Sequence, residues 1–292
     1  MENVLRSTRV TLEMIKWEHS IFALPFALTG AVLAANGWPS LRVLSWIVVC
    51  MVSARSAAMA FNRLADTEID AANPRTAMRA LPKGELSRGF VLSFTILASG
   101  VFLFAAAMLN RLTLELAPVA LIVVLAYSYM KRITRWSHLV LGLALGIAPT
   151  AAWVAVRGSL DPRVLLLTAI VILWVGGFDV LYSCQDFEHD RKVGLNSVPQ
   201  AFGLEGAFWI AHGMHLGMAV LLFVLLHAFG LGPIALSGFV LVLLLLAYEH
   251  SIISPRDLRR MNAAFFTLNG VISVVFFLAV AADVLLRRSG KF

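Results

Sequence analysis

Stretches of apolar residues long enough to cross a membrane recur along nearly the whole of the sequence. A helix that spans the roughly 30 Å hydrocarbon core of a bilayer needs about 20 predominantly apolar residues. Hydrophobic residues make up 60% of the chain and charged residues only 14%, whereas a soluble domain carries about 25% charged residues. The sequence therefore predicts an all-α integral membrane protein rather than a soluble enzyme.

Nine of these stretches are predicted to form transmembrane helices. They lie near residues 20–36, 42–61, 89–109, 113–130, 137–156, 163–185, 206–229, 231–249 and 263–286. Residues 8–18 mix charged, apolar and aromatic side chains, which suits a short helix at the membrane interface before the first span. Because the spans fill nearly the whole chain, residues 1–292 are interpreted as one polytopic domain.

Arginine and lysine residues are concentrated in the N-terminal segment and in the loops that follow the even-numbered spans. Cytoplasmic loops of membrane proteins carry such an excess, so these segments are expected to face the cytoplasm, with the protein in the inner (cytoplasmic) membrane. The net charge of +7 is thus explained by membrane topology. No separate basic domain is present in the sequence, and nucleic acid is not an expected partner.

Two acidic segments stand out because each follows an even-numbered span and contains an Asp-x-x-x-Asp pattern. Asp66 and Asp70 form one pair, and Asp186 and Asp190 form the other. Residues four apart share one face of a helix, where two carboxylates repel each other. Two such pairs on the same side of the membrane would need a cation between them, and carboxylate oxygens suit Mg²⁺. The pattern therefore predicts a magnesium site.

Cationic residues accompany both acidic pairs and extend the prediction to a phosphate ligand. Arg79, Lys131 and Lys192 could bind the outer oxygens of a diphosphate. Together with the metal they would stabilise a departing pyrophosphate, which is mainly an electrostatic task. Charged loops are ordinary between spans, but two matching clusters on one face favour the site over that simpler explanation.

Two further ionisable residues lie within predicted spans. Asp179 lies two helical turns before Asp186, in the apolar end of span 6, and Arg55 lies two turns before Asn62, in span 2. An ionisable group in a span is a candidate for function. Asp179 could instead make a structural hydrogen bond to a neighbouring helix. Arg55 could hold an organic carboxylate in a bidentate contact, or it could be the counter-ion of Asp179.

Around these residues the sequence resembles the UbiA-type intramembrane aromatic prenyltransferases. The segment "NRLADTEID" (62–70) matches the family's N-x-x-x-D-x-x-x-D signature, and "RALPKG" (79–84) is similar to the R-x-L-P-x-G that follows it. "QDFEHD" (185–190) stands where the second aspartate motif belongs, and "YSYMKRIT" (127–134) resembles the Tyr-x-x-x-Lys loop. "IFALPFAL" (21–28) and "GLNSVPQAFG" (194–203) also fit. The resemblance covers both halves of the chain.

The resemblance implies a fold and a reaction. The fold would be nine helices around a central cavity, capped by cytoplasmic polar loops, with two pseudo-equivalent halves that carry the motifs at 62–84 and 179–203. The reaction would be Mg²⁺-dependent transfer of a polyprenyl group from polyprenyl diphosphate to an aromatic acid. The segment from Ala54 to Gly84 is most similar to the 4-hydroxybenzoate polyprenyltransferases. A branch that prenylates a dihydroxynaphthoate in futalosine-route menaquinone synthesis is the alternative.

The resemblance also implies roles for individual residues. The Mg²⁺–diphosphate is expected to bind at Asn62, Asp66, Asp70, Asp186 and Asp190, and its phosphate oxygens at Arg79, Lys131 and Lys192. Tyr127 is expected to stabilise an allylic cation through its ring face. Arg55 and Asp179 stand where the family places polar residues of the acceptor pocket. Asp179 or the released diphosphate would take the ring proton, and no stable protein partner is implied.

A secondary transporter is the principal interpretation from another class. Transporter sites lie near the bilayer midplane on broken helices, whereas the acidic residues here are concentrated at one face. His212 and His215 share a face of span 7, but a zinc site normally has three or four ligands. Hydrogen bonding between helices is therefore the favoured interpretation of these two histidines.

Overall fold

The computed structural model describes residues 2–15, 20–261 and 263–288, and thirteen α-helices account for most of them. The helices are α1 (Glu2–Ile15), α2 (Ser20–Ala35), α3 (Leu41–Ala65), α4 (Thr67–Ala72), α5 (Arg88–Ala107), α6 (Arg111–Ala126), α7 (Met130–Ile133), α8 (Ser137–Arg157), α9 (Leu165–Ser183), α10 (Phe187–Val193), α11 (Val198–Ala228), α12 (Pro233–Ile252) and α13 (Asn269–Arg288). A π-helix (Ala263–Leu268) precedes α13, and short 3₁₀ turns precede α7, α9 and α10.

Within the described ranges, eight helical segments are long and apolar enough to cross a membrane: α3, α5, α6 continued through α7, α8, α9 continued through α10, α11, α12 and α13. The shorter apolar segment Leu24–Ala35 of α2 supplies the ninth span. The prediction of an all-α membrane protein with about nine spans is therefore confirmed. Helix α1 covers most of the predicted interfacial helix, and residues 16–18 of that prediction lie outside the described residues.

Polar residues directly before four of the helices cap their first turns. The side chains of Ser40, Ser87, Asn110 and Ser197 accept hydrogen bonds from backbone N–H groups in the first turns of α3, α5, α6 and α11, which satisfies donors that a helix start leaves free. Helix α11 begins earlier than the predicted residue 206 because Ser197 caps it. Its axis breaks at Gly203, where φ is 72°, a conformation that favours glycine.

The core of the bundle is built around α9, which packs mainly against α8 and α11. The fully buried Trp174 of α9 contacts the rings of Phe26 and Phe178, with centroids 4.9 and 5.1 Å away. Close approach of α8 depends on Gly142, since a Cβ there would lie 2.5 Å from the Ile172 carbonyl oxygen. This packing sets the position of α9 and of the motif at its end.

The other side of the bundle consists of α3, α5 and α6, with α3 and α5 in extensive contact. At the end of α3, Met14 and Ile15 of α1 pack into a cluster with Ala60, Leu81 and Leu86. This contact places α1 and the segment that follows α4 over one end of the bundle. Both aspartate motifs lie at that end, because each follows an even-numbered span.

Candidate active site

The two aspartate motifs have the same local structure. Asp66 ends α3 and precedes α4 with φ −97° and ψ 10°, and Asp186 precedes α10 with φ −98° and ψ 4°. This bridge region of the φ/ψ map is sparsely populated and common in active sites. The break turns a long helix into a short one, and Asp70 and Asp190 follow one turn later in the short helices. Each motif therefore directs two carboxylates toward the same end of the bundle.

The segment after the first motif binds the second motif directly. Arg75 donates to both oxygens of Asp186, from Nε at 2.9 Å and from Nη2 at 2.5 Å. Asn73 Nδ2 donates to the same carboxylate at 3.1 Å. Neither Arg75 nor Asn73 is among the sequence-predicted site residues, because the contact joins positions more than one hundred residues apart. These bonds bring the two predicted clusters together.

The first motif is also paired with arginine. Arg79 Nη1 lies 2.6 and 2.8 Å from the two oxygens of Asp70, so this residue, predicted to bind phosphate, contacts a carboxylate of the first motif. Asp66 accepts from Asn62 Nδ2 at 2.9 Å and from Arg132 Nη2 at 3.2 Å. Burial raises the pKa of the Asp66 carboxyl above its ordinary value and the Asp70 carboxylate raises it further, whereas Arg132 opposes the change.

The two predicted lysines differ in placement. The charge of Lys131 acts on Asp66, Asp186 and Asp190 together, and its carbonyl accepts from the Asn196 N–H at 2.8 Å. Lys131 is thus near the carboxylates of both motifs, and its role as a phosphate-binding residue stays a prediction. Lys192 is exposed in the last turn of α10, and none of the described contacts joins it to the carboxylates.

The donor set fits Mg²⁺ in chemistry, although among the described residues no group of three Asp, Glu, His or Cys side chains converges into a metal-binding cluster. Mg²⁺ is usually held by one or two carboxylates together with water and phosphate oxygens. The two aspartates of either motif would therefore be enough to bind one ion. Asp190 is 2% exposed and its Oδ2 has no hydrogen-bond partner among the described residues. A buried carboxylate oxygen without a partner is costly, which is consistent with a position that a cation completes.

A cavity of about 1160 Å³ extends from this cluster into the bundle. Asn62, Arg75, Arg79 and Tyr182 line its mouth, and most of its remaining wall is apolar side chains of α3, α6, α8 and α9. On α3 alone, cavity-lining residues extend from position 63 to position 47, which is about 24 Å at roughly 1.5 Å per residue. The cavity is therefore a long apolar channel with a charged mouth.

Three predicted pocket residues line this cavity: Arg55, Tyr127 and Asp179. The Arg55 Nε is buried without a hydrogen-bond partner. Asp179 is bound by a different residue, since its Oδ2 lies 2.7 Å from His138 Nδ1, and no ion pair with Arg55 is present among the described residues. The geometry thus supports the carboxylate-binding interpretation of Arg55 over the counter-ion interpretation.

His138, which contacts the predicted site residue Asp179, was not singled out by sequence reasoning. It lies in the first turn of α8, is 0% exposed, and contacts Asp179 across the α8–α9 interface. The only sequence signal is a polar residue at the start of an apolar span, which is common at membrane boundaries. Of the two histidines of span 7, His215 bonds between helices as expected, to His250 on α12 and to the Trp174 carbonyl oxygen on α9, whereas the ring of His212 bonds to the Phe208 carbonyl oxygen within α11.

Comparison with known proteins places this geometry in context. The profile of the UbiA prenyltransferase family matches residues 23–279. A 4-hydroxybenzoate octaprenyltransferase from Vibrio cholerae is 34% identical over 248 residues, which cover 84% of this chain and 86% of that protein. An apo structure of a UbiA homolog from Aeropyrum pernix K1 is 34% identical, with a TM-score of 0.84, covering 92% of this chain and 99% of that one. A UbiA homolog from Archaeoglobus fulgidus bound to DMAPP and Mg²⁺ shares the fold at 21% identity, with a TM-score of 0.73 over 94% of this chain and 98% of that one.

Proposed function

Because the chain belongs to the UbiA prenyltransferase family, we propose that this multi-pass membrane prenyltransferase transfers a polyprenyl group from polyprenyl diphosphate to 4-hydroxybenzoate. The observation that carries the proposal is the long apolar channel whose mouth is lined by Arg75 and Arg79, which bind the motif carboxylates of Asp186 and Asp70. Relatives that cover most of the chain are 4-hydroxybenzoate octaprenyltransferases, which supports this acceptor. Family membership leaves the secondary-transporter alternative without support.

The diphosphate is proposed to bind at the mouth of the channel. Mg²⁺, held by the five motif residues Asn62, Asp66, Asp70, Asp186 and Asp190, would supply positive charge for the departing diphosphate. Lys131 lies near the carboxylates of both motifs and is proposed to hold a phosphate oxygen. Arg79 is proposed to exchange its Asp70 contact for the diphosphate, and the exposed Lys192 is proposed to contribute charge from α10.

The prenyl chain is proposed to lie in the apolar channel, where it is shielded from water. Breaking the bond between C1 and the diphosphate oxygen would leave an allylic cation, and the ring of Tyr127, which lines the channel, is proposed to stabilise it. Exclusion of water protects this cation from hydrolysis. A ring carbon of the acceptor then forms the new bond to C1, and the ring proton passes to Asp179 or to the released diphosphate.

The acceptor is proposed to bind with its carboxylate on Arg55 and its ring between Arg55 and Asp179. A buried guanidinium with an unpartnered N–H suits a carboxylate, because Arg offers parallel donors to both oxygens. A dihydroxynaphthoate also carries an aromatic carboxylate, so Arg55 would suit it as well. The prenyl-transfer experiment therefore decides between these two acceptors.

The two halves of the chain are proposed to be pseudo-equivalent parts of one domain, residues 1–292. The matching backbone angles at Asp66 and Asp186, each between a long helix and a short one, support this proposal. We further propose that the motif-bearing end faces the cytoplasm and that the protein lies in the inner membrane. The cationic loops at that end support this orientation.

The test is prenyl transfer by the purified protein in detergent, with Mg²⁺, labelled geranyl diphosphate and 4-hydroxybenzoate. Asp66→Ala and Asp190→Ala are expected to abolish product. Glu68→Ala and Glu188→Ala are matched controls, because these carboxylates lie in the same two motifs but are exposed, and they are expected to leave the rate nearly unchanged. Product from a dihydroxynaphthoate but not from 4-hydroxybenzoate would identify the dihydroxynaphthoate as the acceptor. No product from either acid would refute the proposal.

A further inference from the structure

One imidazole connects the acceptor side of the cavity to the second aspartate motif. His138 Nδ1 lies 2.7 Å from Asp179 Oδ2, and its Nε2 lies 3.3 Å from the backbone nitrogen of Val198. Val198 begins α11, directly after the loop in which the Leu195 N–H donates to the Asp190 carbonyl at 2.9 Å. The ring is fully buried, so these two contacts account for both of its nitrogens.

These contacts determine where the imidazole proton lies. A backbone N–H can only donate, so Nε2 of His138 must accept with its lone pair. A neutral imidazole has one N–H, and it is therefore on Nδ1, directed at Asp179. The Oδ2 of Asp179 accepts that bond as a carboxylate oxygen. This hydrogen bond fixes the orientation of the Asp179 carboxylate from the side that faces away from the cavity.

The other oxygen of Asp179 is available to the cavity. Asp179 lines the cavity wall and its side chain is 15% exposed. Its Oδ1 takes part in none of the described hydrogen bonds, and Tyr127 lines the same cavity. An acceptor that enters the cavity therefore meets one free carboxylate oxygen, in the same cavity as the aromatic ring proposed to stabilise the allylic cation.

We propose that His138 is a positioning residue for Asp179. By holding Oδ2, His138 directs Oδ1 toward the hydroxyl or the ring proton of the aromatic acceptor. Through its contact with Val198, it also fixes the position of this oxygen relative to the second aspartate motif. This inference rests on the proposed function. It differs from a purely structural role for His138, in which the ring only satisfies the Val198 N–H at the start of α11.

A double-mutant cycle separates the two roles. His138→Ala, Asp179→Ala and the double variant are compared in the prenyl-transfer assay, with kcat and the KM for each substrate measured. His138→Ala is expected to lower kcat by about 10- to 100-fold, the effect of losing a hydrogen bond to a charged group, without changing the KM for geranyl diphosphate. In the Asp179→Ala background the same substitution is expected to change kcat by less than about 2-fold, because coupled residues are non-additive.

Conservative replacement and a matched control complete the design. His138→Gln retains a donor and an acceptor and is expected to recover most of the lost rate, whereas His138→Leu is not. His227→Ala is the control, since His227 is exposed and bonds only within α11. The thermal unfolding temperature of each variant, measured in the same detergent, tests folding separately.

The outcomes are distinguishable. Absence of transfer by the unsubstituted protein would overturn the proposed function and this inference with it. Transfer by the unsubstituted protein, with an unchanged kcat in His138→Ala, would overturn the positioning role alone. If His138→Ala lowered kcat equally with and without Asp179, the positioning role would also be overturned, because the effect would then not pass through Asp179.

Discussion

Replacing Arg75 tests the contact that joins the two motifs. Arg75 donates two hydrogen bonds to Asp186, whose side chain is 8% exposed, whereas the Arg75 side chain is 34% exposed. Breaking a fully buried ion pair costs about 3–5 kcal/mol because a charge is left without a partner. Since water reaches part of Arg75, that cost must be reduced, and we expect Arg75→Leu to lower the free energy of unfolding by about 2–3 kcal/mol.

The assay is equilibrium unfolding in mixed micelles, followed by tryptophan fluorescence, with a metal chelator present. Arg88→Leu is the matched control, because Arg88 pairs with Glu68 at 3.4 Å on an exposed surface and should contribute less than about 0.5 kcal/mol. In an Asp186→Asn background the cost of Arg75→Leu should fall sharply. Equal effects of the Arg75 and Arg88 substitutions would refute the reasoning that burial of Asp186 makes this pair strong.

Three further predictions concern the bundle and the pocket. Asn269→Leu should lower the free energy of unfolding by about 1–3 kcal/mol, measured by the same micelle titration, because the buried Trp174 Nε1–H loses its acceptor at 2.7 Å. Gly142→Ala should cost about 1–3 kcal/mol in that assay, because its Cβ would lie 2.5 Å from the Ile172 carbonyl oxygen and force α8 away from α9. Arg55→Gln should weaken binding of the aromatic acid, because a charge-assisted hydrogen bond to the acceptor is lost. The KM for the acid is expected to rise by about 10-fold or more, while the KM for geranyl diphosphate stays the same. Steady-state kinetics with both substrates varied measures the two constants.

The sequence predicts those features that depend on residues close together in the chain. The apolar runs predict the nine spans because each span needs its own hydrophobic residues to enter a bilayer. The Asp-x-x-x-Asp spacing predicts that Asp66 and Asp70 share a face, and the structure places them one turn apart. Asp190 likewise follows Asp186 by one turn, in the short helix after the second break.

The partners of these residues could not be predicted in the same way. Arg75 contacts Asp186 across 111 positions, and His138 contacts Asp179 across 41. Such pairs are set by how the helices pack, and neither spacing nor composition of one segment encodes them. The chain also gave no sign that Asp179 would be bound by histidine rather than by Arg55. Tertiary packing alone decides between two partners of similar chemistry.

The most direct test of the central claim is the rate at which the unsubstituted protein forms prenylated 4-hydroxybenzoate as Mg²⁺ is varied. The product is identified by mass spectrometry as the acid with a geranyl group bonded to a ring carbon. We expect product that rises with Mg²⁺ to a plateau, disappears with a chelator and returns when Mg²⁺ is restored. Prenyl transfer that is insensitive to Mg²⁺, or an acid that remains unmodified at every Mg²⁺ concentration, would contradict the account.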